Sequence, residues 1–203
     1  MDNVYSLEVA TEPAAEPLTL AEAKEHLRVD LALEDELIEA LIVAAREWTE
    51  NYCRRSWIVR TLKLHLDYFD AEILLPRGPV VSVASVEYMN GAALVALDPS
   101  AYVVDRFSLP ARIRPVFGGT WPSVASVSLN GVVVTYDAGY PGSTGAPPDL
   151  AANVPQAVKA AMKLLIGGWF ENREHIAEKA PAEVPLAVKS LLSALEVRDF
   201  RLE

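Results

Sequence analysis

At Ser56 the spacing of apolar residues changes, and that change limits what the chain can fold into. Before it, Leu37, Ile38, Leu41, Ala45, Trp48 and Tyr52 recur at helical steps and make one stripe. After it, Leu62, Leu64, Leu66 and Tyr68 alternate with Thr61, Lys63, His65 and Asp67, the period of a half-buried strand. The helical spacing returns beyond Pro155, where Val158, Ala161, Met162, Leu165 and Trp169 form a second stripe. Helices, then strands, then helices give an α+β chain. The expected architecture is a helical bundle core with an inserted small antiparallel β-sandwich or barrel.

Local signals set the boundaries. Residues 1–17, broken at Pro13 and Pro17, read as an N-terminal arm. Helical segments at 18–56 and 155–195 make the core, 57–140 the β insert, 141–154 a linker and 196–203 a C-terminal tail. Thr19 and Glu22 have the spacing of a capping box, which starts the first helix. The second helix opens on Glu34, Asp35 and Glu36 and closes on Arg54 and Arg55, both charges favourable to its dipole. Its opposite face carries Glu39, Arg46, Glu47 and Glu50, expected to be wet. Asn90-Gly91 and Asn130-Gly131 mark tight turns. Strands are expected at 80–89, 102–105, 111–114 and 132–136. The 141–154 stretch, PGSTGAPPDLAANV, has the proline and glycine content of a linker. Gly167-Gly168 sits inside the third helical pattern and suggests a close crossing or a kink.

Composition excludes several classes. A hydrophobic content of 51% against 23% charged residues supports a packed core. No apolar run approaches the ~20 residues that span a bilayer. The acidic N-terminal stretch lacks the order of a signal peptide, and the lone Cys53 allows no internal disulfide. These features point to the cytoplasm or a particle assembled there. A net charge of −10 argues against phosphate neutralisation as the main task.

Catalytic signals are absent from the pattern. His26, His65 and His175 fall in different elements, without metal-ligand spacing. No phosphate-binding glycine loop and no nucleophile elbow occurs. Cys53, near the end of an apolar helical pattern, reads as a buried inert thiol. Neither an enzyme, a cofactor nor a metal is expected. Arg54, Arg55 and Arg60 form the dense basic spot, the phosphate contacts of an alternative reading as a DNA-binding packaging accessory protein.

Four separated pieces, in order, carry a resemblance: LTLAEAKEHLRVD (18–30), EDELIEALIVAAREWTENYCRRS (34–56), VTYDAGY (134–140) and WFENRE (169–174). Together they resemble the head–tail connector (adaptor, head-completion) proteins of long-tailed bacteriophages and gene transfer agents. The resemblance implies a non-catalytic subunit of a ring of about twelve copies under the portal protein. Such a ring extends the DNA channel and docks a stopper or tail-terminator protein, and DNA passes through it without sequence-specific binding. The implied location is the head–tail junction of a virion or gene-transfer-agent particle. Trp48 and Trp169 are then core anchors or subunit-interface residues. Arg173 and Glu174 pair within the subunit or with a neighbour. In the tail, Arg198, Phe200, Arg201 and Leu202 are the expected portal contacts, with Phe200 as the apolar anchor.

Overall fold

The computed structural model describes residues 5–91, 93–124, 129–172 and 186–197. The chain divides into two compact units. One comprises Met1–Ala14, Val59–Tyr140 and Val197–Glu203, and the other comprises Ala15–Ile58 and Pro141–Glu196.

The first unit is all β. Its strands are β1 (Tyr5–Val9), β2 (Arg60–Leu66), β3 (Ile73–Leu75), β4 (Val80–Asn90), β5 (Ala93–Ala96), β6 (Tyr102–Asp105), β7 (Ala111–Pro115) and β8 (Val132–Ala138). They form a five-stranded sheet in the order β1-β2-β8-β4-β5 and a three-stranded sheet in the order β3-β7-β6, with antiparallel neighbours throughout. β2 alternates as its sequence demands: Leu62, Leu64 and Leu66 are buried while Thr61, Lys63 and His65 are partly wet. A shared core collects these leucines with Ile73 and Leu75, Val86, Ile113 and Val132, Val134 and Tyr136 from both sheets. The Tyr136 hydroxyl donates to the Pro76 carbonyl at 2.8 Å, and burial pushes its phenol well above the ordinary range. On the other side of the large sheet Asp137 accepts from Thr61 Oγ1 at 2.8 Å and Ser82 Oγ at 2.7 Å, tying β2, β8 and β4 together. β4 slips register twice against β8, between Val80 and Ser82 and between Val83 and Ser85. Such bulges break strict alternation along a strand, which is why β4 shows a valine-rich run and no clean period. The expected strands at 80–89, 102–105, 111–114 and 132–136 are all present.

Three β strands, β1, β3 and β5, are not among the expected ones. Tyr5–Val9, inside the expected arm, is the edge strand β1, in register with β2 from Tyr5↔Leu66 to Val9↔Leu62. An edge strand borrows its register from its neighbour, so YSLEV carries little pattern of its own. β3 has only three residues, too few to show a period. The hairpin near Asn90-Gly91 also shifts by one: Asn90 pairs with Ala93, and Gly91 takes φ +75 as the first residue of the connection.

The second unit is helical: α1 (Leu20–Leu27), α2 (Asp35–Cys53), α3 (Gln156–Glu171) and α4 (Leu186–Leu192). α1 begins on the expected capping box. Thr19 Oγ1 accepts from the Glu22 N–H at 3.2 Å, and the Thr19 N–H donates to Glu22 Oε2 at 2.9 Å. Partial burial opposes the Glu22 charge, but the Thr19 bonds prevail and hold its carboxyl below the usual value. α2 is a rod of about 28 Å at 1.5 Å per residue. It packs on α1 and α3, and α3 packs on α4.

The inward face of α2 differs from the expected stripe. Ile38, Ile42, Ala45 and Cys53 are buried, but so are Arg46, Thr49 and Glu50, whereas Leu37 is exposed. Arg46 Nε donates to Glu16 Oε2 at 2.8 Å, and its Nη1 approaches Glu50 Oε2 at 3.3 Å. Glu50 Oε1 accepts the Trp57 N–H at 2.9 Å. The Trp57 indole N–H donates to Thr49 Oγ1 at 2.9 Å. Each charge on this face has an opposite charge or a donor against it, which is the condition for burying charge at all. Burial pushes the Glu16 carboxyl up, against the pull of Arg46.

The 141–154 stretch is a built loop. The Ser143 N–H donates to the Asp149 carbonyl at 2.8 Å, and the Asn153 amide donates to the Pro141 carbonyl at 2.7 Å. A Cβ on Gly142 would lie 2.6 Å from backbone of Asp149 and Leu150, so glycine is required there. The glycine pair in α3 has no such cause. A Cβ at Gly167 would meet His26 at an ordinary 3.5 Å, and one at Gly168 would meet nothing.

Candidate functional site

The residues singled out from the sequence fall in three groups. Trp48 and Tyr52 lie one turn apart on α2, and their rings stack at 5.2 Å between centroids and 12° between planes. Both are half-buried. Trp169 is half-buried on α3, next to the half-buried Phe170. Each tryptophan therefore has one side in the helical unit and one side available. Arg173 and Glu174, and the tail residues Arg198, Phe200, Arg201 and Leu202, lie outside the described residues.

The basic spot is dispersed. Arg54 ends α2 in the left-handed region at φ 56 and is exposed. Arg55 Nε donates to the Leu195 carbonyl at 2.6 Å. Arg60 is buried at the start of β2, in the other unit. Two of the three guanidiniums are thus engaged inside the protein, which weakens the case for a phosphate-binding patch. Cys53 is buried, its Sγ 3.9 Å from the Leu192 carbonyl, and burial pushes the thiol up to about 12. A thiol so protonated is a poor nucleophile.

What sequence reasoning missed is Trp57. It is the largest fully buried side chain, and it closes the polar chain from Glu16 to Thr49. Its position just past the helix end, followed by Ile58, was the available signal. Periodicity could not use it, because one residue in a turn has no period.

Exposed apolar side chains concentrate at defined places. Ahead of α2, Leu31 is 70% exposed and Leu33 91% exposed. They sit in the turn whose 3-10 segment is Ala32–Glu34, and Leu37 continues the patch on α2. Lys24 pins that turn, its Nζ 2.5 Å from Asp35 Oδ1 and 3.3 Å from the Leu31 carbonyl. At the far end of α2 a groove of about 530 Å³ is lined by Tyr52, Leu186, Ala187, Lys189, Ser190 and Ser193. A second cleft, of about 430 Å³, lies between His26, Arg28, Gly167, Phe170 and Glu171. In the β unit Phe107 and Phe117 stand almost fully exposed. Near them in sequence, the Asp105 carboxylate accepts from Ser108 Oγ at 2.6 Å and Arg112 Nε at 2.9 Å, which holds it well below the usual carboxylate range.

Residues 17–91 match the model of the phage gp6-like head-tail connector proteins. That segment contains both α1 and α2, with Leu31, Leu33, Arg46 and Trp57 among its residues. Over these residues the chain is similar to the phage gp6-like head-tail connector proteins. In fold, the chain is similar to a chain of the virion of a native gene transfer agent particle, at TM-score 0.74 and 22% identity over 95% of this chain and 96% of that one. It is also similar to a chain from the neck of an empty gene transfer agent particle computed with C6 symmetry, at TM-score 0.71 and 21% identity. A chain from the neck of a native particle computed with C12 symmetry aligns at TM-score 0.69 and 22% identity. Both neck chains match over 95% of this chain and 96% of their own length. No curated protein sequence matches the chain.

Proposed function

We propose that the chain is a structural subunit of the head–tail junction, one copy in a ring beneath the portal protein. The observation that carries the reading is the connector family match over α1 and α2 of the helical unit and on through β4. The fold similarity to neck subunits from particles with six-fold and twelve-fold symmetry supports a closed ring of about twelve copies. The role is mechanical: the ring extends the DNA channel and offers a surface for the stopper or tail-terminator protein. The chain's net charge of −10 suits a channel that must not retain DNA, the reverse of counterion-release binding.

In this reading the segment 198–203 grips the portal, with Phe200 as anchor and Arg198 and Arg201 meeting acidic groups. The experiment is reconstitution of the full chain with a portal protein, read by electron microscopy. A ring of the chain on the portal is expected. A chain absent from the portal and from assembled particles overturns the role. Removing 198–203 should leave the thermal midpoint unchanged while portal attachment is lost. Phe200→Ala alone should lower attachment more than about tenfold, since a buried aromatic anchor contributes roughly 2 kcal/mol or more. Unchanged attachment in both variants removes the tail from the interface.

A further inference from the structure

We propose that neighbouring copies join head to tail through opposite ends of α2, the apolar turn at 31–33 of one copy seating in the Tyr52–α4 groove of the next. The inference rests on the ring reading above and names the contact that would build the ring.

The two surfaces are both apolar, and the charges beside them are opposite. Leu31, Leu33 and Leu37 form an exposed apolar cluster within seven residues, whereas scattered single apolar residues are the ordinary condition of a surface. The exposed carboxylates Asp30, Glu36 and Glu39 surround it in sequence. The turn is also held in place, because Lys24 bonds both the Leu31 carbonyl and Asp35. An ordered apolar knob loses little freedom when it docks. At the other end, the groove is walled by the Tyr52 ring, the aliphatic side chains of Leu186 and Ala187, and the small Ser190 and Ser193. Among the described residues its charged lining residue is Lys189, and the exposed Arg54 caps the same end of α2. An acid-rimmed knob thus faces a base-rimmed groove, which sets partner choice and register more than affinity.

Polarity decides the assembly. Knob and groove are different surfaces of one helical unit, so their contact is heterologous, and a heterologous contact repeats around a ring when its rotation closes. A self-complementary patch would stop at a two-fold dimer.

The test uses the full chain carrying Leu33→Cys and Ser190→Cys together. Both positions are exposed, and the native Cys53 is buried. Mild oxidation of concentrated protein, alone and on portal rings, should produce a ladder of disulfide-linked multimers that collapses on reduction. Each single variant should yield nothing larger than a dimer. In parallel, Glu36→Lys and Lys189→Glu should each weaken association about tenfold in sedimentation, and the double reversal should restore it. Rings visible by microscopy without a ladder, or no recovery in the double reversal, overturn this contact and leave the ring reading standing. A chain that forms no oligomer alone or on portals overturns both.

Discussion

In the helical unit the interior holds charge. Arg46 and Glu50 lie on the buried face of α2, 5% and 3% exposed, and a chain of hydrogen bonds leads from Glu16 to the Trp57 indole. In the β unit the shared core is apolar, with the Tyr136 hydroxyl bonded to the Pro76 carbonyl, and the carboxylates of Asp137 and Asp105 work at its outer surfaces. The difference follows from geometry. A strand sends alternate side chains to opposite faces, so polar and apolar residues separate cleanly. A helix packed by neighbours on more than one side has no free face for every polar residue, and those turned inward must find partners. The pairing comes from Glu16, ahead of α1, and from Trp57, beyond α2. The ion network therefore fastens the segment ahead of α1 and the turn beyond α2 to the buried face of α2.

If this contrast is right, polar deletions should hurt most in the helical unit and apolar truncations in the β unit. Arg46→Ala is expected to have the largest effect. It leaves Glu50 buried without its cation, a loss of about 3–5 kcal/mol. Denaturant unfolding followed by circular dichroism would measure it, and a change under about 1 kcal/mol would mean that the network is ornamental to stability. Leu64→Ala comes next. Leu64 is fully buried in the shared β core, and such a truncation costs about 2–5 kcal/mol, depending on how far the cavity collapses. A loss confined to the β unit, with helical signal preserved through the first transition, would sharpen the division into two units. A single cooperative transition would erase it.

The smallest expected effect concerns Asp105, which is half-buried at the surface of the β unit. Its folded carboxyl sits below its unfolded value because Ser108 and Arg112 bond the ionised form. The ionised group therefore adds stability above the unfolded carboxylate range. That contribution disappears as pH falls through about 4 and below. Asp105→Asn should lower stability modestly at neutral pH and leave it unchanged in acid, which flattens the acid limb of the stability curve. A variant with an unchanged acid limb would show that the surface bonds of the β unit carry no pH-dependent stability.

Much of this protein was legible in its residues alone. The period change at Ser56 placed the boundary between helix and strand, and the alternation from Thr61 to Leu66 identified the buried face of β2. Thr19 and Glu22 announced the start of α1, since a capping box depends only on contacts three residues apart. The connector resemblance also came from the sequence, and the family match over 17–91 agrees with it. Tertiary structure decided the rest. β1 became a strand because β2 offered it an edge. Arg46 and Glu50 went inside because Glu16 and Trp57 arrived to satisfy them, and no periodicity records a partner so distant in the chain. The groove of Tyr52 and α4 joins residues more than 130 positions apart, a juxtaposition that exists only once the helices have packed. Local pattern reports what a segment can bury, whereas the folded chain determines what it meets there.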